Sequence, residues 1–121
     1  MTVKVGINGF GRIGRLALRE SWGAAGFEIV HINEIAGDAA SAAHLMQFDS
    51  VHGHWDLSIS ADTDHNRISI DGRDIGYSQC QSIADTPWQA AGVELIVECT
   101  GTLRTEEALE PYFAQGIKKV L

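Results

Sequence analysis

Three glycines in the segment GINGFGRIGR, Gly9, Gly11 and Gly14, carry the spacing G-x-G-x-x-G. In a strand-to-helix turn each has its own steric role. Gly9 allows the tight turn, Gly11 lets a pyrophosphate approach the backbone, and Gly14 lets the helix pack close to the strand. Amides around Arg12 and Ile13, at the positive end of the helix dipole, would then face an anion, and no lysine is needed. Three glycines at this spacing also arise in structural turns, so context decides. The motif follows an apolar run, opens a helical pattern and precedes a second apolar run that ends in Asn33-Glu34, with Glu34 twenty residues beyond Gly14. An acid at that place accepts hydrogen bonds from ribose hydroxyls and repels a ribose phosphate, which favours NAD over NADP. Asn33 and Glu34 are both read as cofactor-binding, and the alternative reading of Glu34 is a solvated loop carboxylate.

Other reactive side chains have plainer readings. Of the five histidines, His31, His44, His52, His54 and His65, only His52 and His54 are close, and a spacing of two puts both on one strand face without a third metal ligand. No metal site is expected. His52, in the segment HGHW, reads as a hydrogen-bonded structural group rather than a catalytic base. Cys99 ends an apolar run and reads as a small core residue, while Cys80 has no evident activating base, so neither is a nucleophile. Glu106, Glu107 and Glu110 form an acidic face near a helix start, favourable to its dipole and solvated.

The chain around these residues has 121 positions, 45% of them hydrophobic and 21% charged, which is the composition of one soluble globular domain. At this size roughly two thirds of the unfolded surface becomes buried, so such a domain has little stability to spare. Nine basic against sixteen acidic residues leave a formal charge of −7, which disfavours a nucleic-acid partner. Two cysteines are too few for a disulfide framework. The opening MTVKVGINGF lacks the charged region, long apolar core and cleavage site of a signal peptide, and no stretch reaches the roughly 18 apolar residues of a membrane span. A reducing cytoplasm is the expected location, with no membrane partner.

The elements that must position the glycines follow from periodicity. Residues 3–7 form a compact β-branched run that stops at the glycine cluster, as a buried parallel strand does. Residues 12–22 carry Ile13, Leu16, Ala17 and Leu18 at helical spacing, ended by Gly23 and Gly26. Residues 27–33 read as a second buried strand, and 38–48 as an alanine-rich helix with Asp38 as its N-cap. Alternating residues in 54–60 and 67–71, separated by ADTDHN, predict an antiparallel hairpin. A short third strand at 73–79, a helical turn at 87–91, a buried strand at 94–99, a helix at 106–115 ended by Gly116 and a strand opening at 118–121 complete the order. Alternating strands and helices with buried apolar strands imply an α/β fold, a doubly wound, mostly parallel Rossmann sheet with a small hairpin insertion. Ligands in such sheets bind at the carboxyl ends of the strands, where both the glycine cluster and the segment after Cys99 lie.

These residues carry a resemblance. VGINGFGRIGR is similar to the opening signature of the phosphorylating glyceraldehyde-3-phosphate dehydrogenases, FDSVHG resembles their segment after the second helix, and VECTG followed by a helix and GIKKV resembles the end of their NAD-binding part. The likeness covers the whole chain. It implies that Gly11, Arg12 and Ile13 surround the pyrophosphate, that Glu34 holds the adenosine ribose, and that Thr100, Gly101 and Leu103 border the cofactor pocket. Two positions depart from the pattern. The family commonly has Asp at the place of Glu34, and an arginine at the place of Gln81, on the adenine side. The Asn33-Glu34 pair also resembles the erythrose-4-phosphate dehydrogenases and a subgroup associated with arsenate-resistance transporters, in which arsenate would replace phosphate as acyl acceptor.

In that family a cysteine thiolate attacks an aldehyde, a histidine acts as base, hydride passes to NAD and phosphate releases the acyl group. Nothing in these 121 residues matches that cysteine or that histidine, so no catalytic residue is assigned. Residues 1–121 are therefore read as an incomplete NAD-binding Rossmann domain whose catalytic domain is absent. The full-length parent would oxidise a sugar-phosphate aldehyde and, by resemblance, form a homotetramer. A free-standing module that senses NAD or docks to a partner is the competing reading. It is disfavoured because Leu121 falls within an unfinished strand and would leave a sheet edge exposed.

Overall fold

The computed structural model describes residues 2–23, 25–49, 53–54, 57–101 and 105–121. The elements are β1 (Val3–Asn8), α1 (Arg12–Ser21), β2 (Phe27–Asn33), α2 (Ala39–Gln47), β3 (Phe48–Asp49), β4 (Gly53–His54), β5 (Ile59–Asp62), β6 (Arg67–Ile70), β7 (Arg73–Ser78), β8 (Leu95–Glu98), α3 (Glu106–Ala114) and β9 (Lys119–Val120). A seven-stranded sheet runs in the order β5-β6-β7-β2-β1-β8-β9. The five strands from β7 to β9 are parallel, and β5 and β6 extend the sheet as an antiparallel edge. From β1 the chain moves outward to β2 and β7, then returns to the other side of β1 with β8. The crevice at that reversal, outside the carboxyl end of β1, is where doubly wound sheets bind ligands.

Alternation along the strands sorts the core into two layers. Val5, Ile7, Ile29 and Ile32 pack with Leu18 of α1 and with Ala39, Ala42, Ala43 and Met46 of α2. On the other face Ile96 packs with Trp88, Val93, Tyr112 of α3 and Ile117. β8 shows the period of two: Leu95 and Val97 join the first layer and Ile96 the second. A register shift interrupts the period in β2, where Val5 faces Ile29 but Gly6 faces His31. Val30 and His31 therefore both serve the second layer, Val30 against its apolar cluster and His31 edge-on to Trp88 at 5.3 Å between ring centres. Gly6 makes room for this: a Cβ there would lie 2.6 Å from the Trp88 ring.

Helix ends follow local chemistry. Asp38 caps α2 by accepting the Ser41 amide at 2.8 Å, and Thr105 caps α3 by accepting the Ala108 amide at 3.1 Å. The Asp38 cap agrees with the sequence.

The insertion differs from the expected hairpin. Its first strand spans Ile59–Asp62 rather than 54–60, because His54 pairs with Phe48 in the separate β3–β4 ladder. β6 also makes a second hairpin with β7. The residues between them, Asp71 and Gly72, both have positive φ, 50° and 83°, the pair of conformations a two-residue reverse turn between twisted strands requires. The Asp-Gly dipeptide carried that signal in the sequence.

Candidate nucleotide-binding cleft

The turn after β1 is held on both sides by the ladder continuing past the strand ends. The Gly9 amide donates to the Asn33 carbonyl at 2.8 Å and the Cys99 amide to the Asn8 carbonyl at 2.7 Å. Gly9 has φ of 93°, and a Cβ on it would stand 2.8 Å from the Cys99 carbonyl carbon and the Thr100 nitrogen. Gly14 is buried, and its Cβ would meet the Gly9 carbonyl oxygen at 2.2 Å. These two glycines are required by close backbone approach.

Gly11 is different. Its φ of −80° suits any residue, and nothing lies within 4 Å of where its Cβ would be. Here the missing side chain leaves open space in front of the α1 N-terminus. Gly11 provides no side-chain cap, and the amides of Arg12, Ile13 and Gly14 have no acceptor inside the helix. The first bond of the helix runs from Arg15 to the Gly11 carbonyl at 2.9 Å. Arg12 and Ile13 are exposed at this opening. An unobstructed helix N-terminus of this kind fits a pyrophosphate.

Glu34, the first residue past β2, is half-buried and bonded into the glycine turn. Its Oε1 accepts the Phe10 amide at 2.6 Å and its Oε2 the Ala36 amide at 2.8 Å. Each carboxylate oxygen keeps a second lone pair. Asn33, one residue earlier, is buried and its amide is saturated. Nδ2 donates to Asn8 Oδ1 at 3.0 Å and to the Cys80 carbonyl at 2.9 Å, while Oδ1 accepts from Ser78 Oγ at 2.7 Å and the Cys80 amide at 2.9 Å. The Asn33 side chain therefore anchors the Cys80 loop, which with Gln81 and Ser82 walls one side of the cleft.

The opposite wall is the end of β8. Thr100 donates both its amide, at 2.9 Å, and its hydroxyl, at 2.5 Å, to Glu98 Oε2. Gly101 follows with φ of 74°, a left-handed residue that turns the chain. Leu103 lies outside the described residues, as does His52. Between the walls is a cleft of about 570 Å³, reaching from Gly11 and Glu34 to Thr100 and Pro111. A cleft of about 630 Å³ opens at the opposite edge beside Trp22, Phe27 and Arg73. It faces the carboxyl end of α1, whose dipole disfavours an anion, so its size does not make it the nucleotide site.

Burial shifts several ionisable groups at and near the cleft. Burial, and then the Glu98 charge, push the Cys99 thiol up, away from a reactive thiolate. Burial with Glu98 alongside pushes the Tyr112 phenol up, and burial with Glu34 and Asp38 nearby does the same for Tyr77. His31 is lowered to about 4 by burial. Among the described residues no three His, Cys, Asp or Glu side chains group as a metal site would require, and no helix is long and apolar enough to cross a membrane.

Asn8, Ser78, Glu98 and Tyr112, which link the two walls, did not stand out in the sequence. A signal was present: VGIN, VHIN and LIVE are apolar runs that each end in a polar residue at the ligand-binding edge.

The family model described as glyceraldehyde 3-phosphate dehydrogenase, NAD binding domain, matches residues 3–106. The whole chain is 50% identical to glyceraldehyde-3-phosphate dehydrogenase 3 of Nostoc sp., covering 35% of that protein. It is 37% identical to glyceraldehyde-3-phosphate dehydrogenase B of Aspergillus oryzae and 39% identical to glyceraldehyde-3-phosphate dehydrogenase of Pseudomonas aeruginosa, covering 36% of each. The chain thus spans about a third of the length of these curated relatives. With the family model matching residues 3–106, the chain belongs to the glyceraldehyde 3-phosphate dehydrogenase family as its NAD-binding domain.

Proposed function

We propose that this chain is the cofactor-holding part of an enzyme that oxidises a phosphorylated aldehyde with NAD, phosphate or arsenate serving as acyl acceptor. The observation that carries the reading is the bonding of Glu34 into the glycine turn. It sets an acid with spare lone pairs beside an open helix N-terminus, which is the arrangement an adenosine ribose and a pyrophosphate need together. Gly9 and Gly14 shape the turn, Gly11 leaves the approach open, and the amides of Arg12 and Ile13 receive the pyrophosphate. Glu34 takes the ribose hydroxyls. Asn33 contributes by holding the Cys80 wall, and Thr100, Gly101 and Leu103 border the cofactor pocket.

Bound NAD supplies the hydride acceptor. The protein's own residues here bind and orient it, and burial with the Glu98 charge pushes the Cys99 thiol up, away from the thiolate a nucleophile needs. Hydride transfer also needs an aldehyde held as a covalent adduct beside the cofactor, so the 121-residue chain alone is inactive. The same reading gives the parent a homotetrameric assembly in the cytoplasm, without nucleic-acid or membrane partners. The Asn33-Glu34 pair keeps erythrose 4-phosphate as the alternative substrate.

The test follows NADH absorbance with glyceraldehyde 3-phosphate and with erythrose 4-phosphate, in phosphate and in arsenate. Turnover by the full-length parent and none by the 121-residue chain is expected, and the two rates rank the substrates. Turnover by the short chain that disappears in Cys80→Ser or Cys99→Ser would overturn the assignment of a purely cofactor-holding role.

A further inference from the structure

Glu98, at the carboxyl end of β8, gathers donors from three directions. Its Oε1 accepts from the Tyr112 hydroxyl of α3 at 2.5 Å and from Asn8 Nδ2 of β1 at 3.0 Å. Its Oε2 takes both the amide and the hydroxyl of Thr100. Four donors on one half-buried side chain match the lone-pair capacity of a carboxylate, whereas a glutamine amide would present two of its own N–H donors to groups that already donate. Asn8 continues the chain, donating also to the Tyr112 hydroxyl at 2.6 Å and accepting from Asn33.

The placement of these contacts gives them a consequence for the ligand. Glu34 on β2 marks the adenosine side and Gly11 the pyrophosphate. The remaining half of a dinucleotide must then cross β1 and lie over the end of β8, against Thr100 and Gly101. We propose that Glu98 is a positioning residue for the nicotinamide ring of NAD. It fixes Thr100 by two bonds, and so sets the turn into Gly101 that forms the seat of that ring, without touching the cofactor itself. This rests on the NAD-binding assignment of the cleft.

The experiment titrates the 121-residue chain calorimetrically with NAD and with ADP-ribose, which lacks only the nicotinamide. The wild type binds NAD more tightly than ADP-ribose. In Glu98→Gln, NAD affinity falls about tenfold while ADP-ribose affinity stays within about twofold. Thr100→Val, which loses the hydroxyl donor, shifts the ratio in the same direction, and Thr100→Ser restores it. Circular dichroism establishes that each variant is folded, and should Glu98→Gln not fold, the Thr100 pair decides. Equal loss for the two ligands, no loss for either, or a wild type that does not distinguish them overturns the positioning role. A wild type that binds neither overturns the cofactor assignment itself, and the positioning role with it.

Discussion

Glu34 Oε1 accepts the Phe10 amide at 2.6 Å, so the acid at the end of the second strand is bonded into the glycine turn that follows the first. Twenty-four residues separate the two in sequence. One side chain thus shapes the turn and presents a charge to whatever lies over it, and a substitution at Glu34 acts on both.

The isolated domain is expected to bind NAD at least tenfold more tightly than NADP, on the order of 1.4 kcal/mol or more, because a second anion at the ribose meets the Glu34 carboxylate. Glu34→Gln keeps an acceptor for the Phe10 amide, gives up the one for the exposed Ala36 amide and removes the charge. It should narrow the preference without unfolding the chain. Calorimetry with both cofactors measures this, and an unchanged ratio would remove Glu34 from the ribose.

Two glycines of the same turn should respond oppositely to substitution. Gly11→Val adds its side chain to open space at an ordinary φ, so the chain stays folded, but the side chain takes the volume of the pyrophosphate and NAD binding is lost. Gly14→Ala places a methyl 2.2 Å from the Gly9 carbonyl oxygen, and the forced separation of helix and turn costs about 1–3 kcal/mol of stability. Thermal melts and NAD titrations of both variants separate space for a ligand from space for the backbone.

His31 predicts a stability loss in mild acid. Burial lowers it from 6.5 to about 4 in the folded state, so between those values the unfolded chain binds a proton that the folded chain does not. Stability contributed by this residue is complete above about pH 6.5 and declines as pH falls, by roughly 2–3 kcal/mol at pH 4. Asp38, Asp62 and Glu94, whose carboxyls are held below their usual range by hydrogen bonds, lose their contribution only at lower pH. His31→Gln, which can still donate to the Ser78 hydroxyl, should flatten the denaturation midpoint between pH 6.5 and 4.5. A slope identical to wild type would show that His31 does not govern that window.

Asn33→Ala should leave Asn8 Oδ1, the Ser78 hydroxyl and both Cys80 backbone groups without this partner. Unpaired polar groups at this edge cost about 1–3 kcal/mol each, and water entering from the cleft offsets part of that. The expected result is a lower melting temperature together with weaker NAD binding, since the Cys80 wall loses its anchor. Amide hydrogen exchange across residues 79–84 reads the wall directly. Unchanged protection there would separate Asn33 from the loop.

The order of strands and helices was legible in the sequence because each element carries its own signal over a few adjacent residues. The β-branched run before Gly9, the Asp38 cap and Gly116 after α3 need no distant partner to be read. Gly9 and Gly14 were legible for the same reason, since a tight turn and a helix packed close to a strand require glycine at fixed offsets. Only the tertiary structure decided that Asn33 is saturated within the protein, that Val30 and His31 share one face, and that Glu98, Asn8 and Tyr112 meet. Asn8 and Tyr112 are 104 residues apart, and their hydrogen bond exists because β8 returns beside β1 and carries α3 over the sheet. A polar residue at a strand end announces that it needs a partner, but which partner it finds is set by the order of the strands.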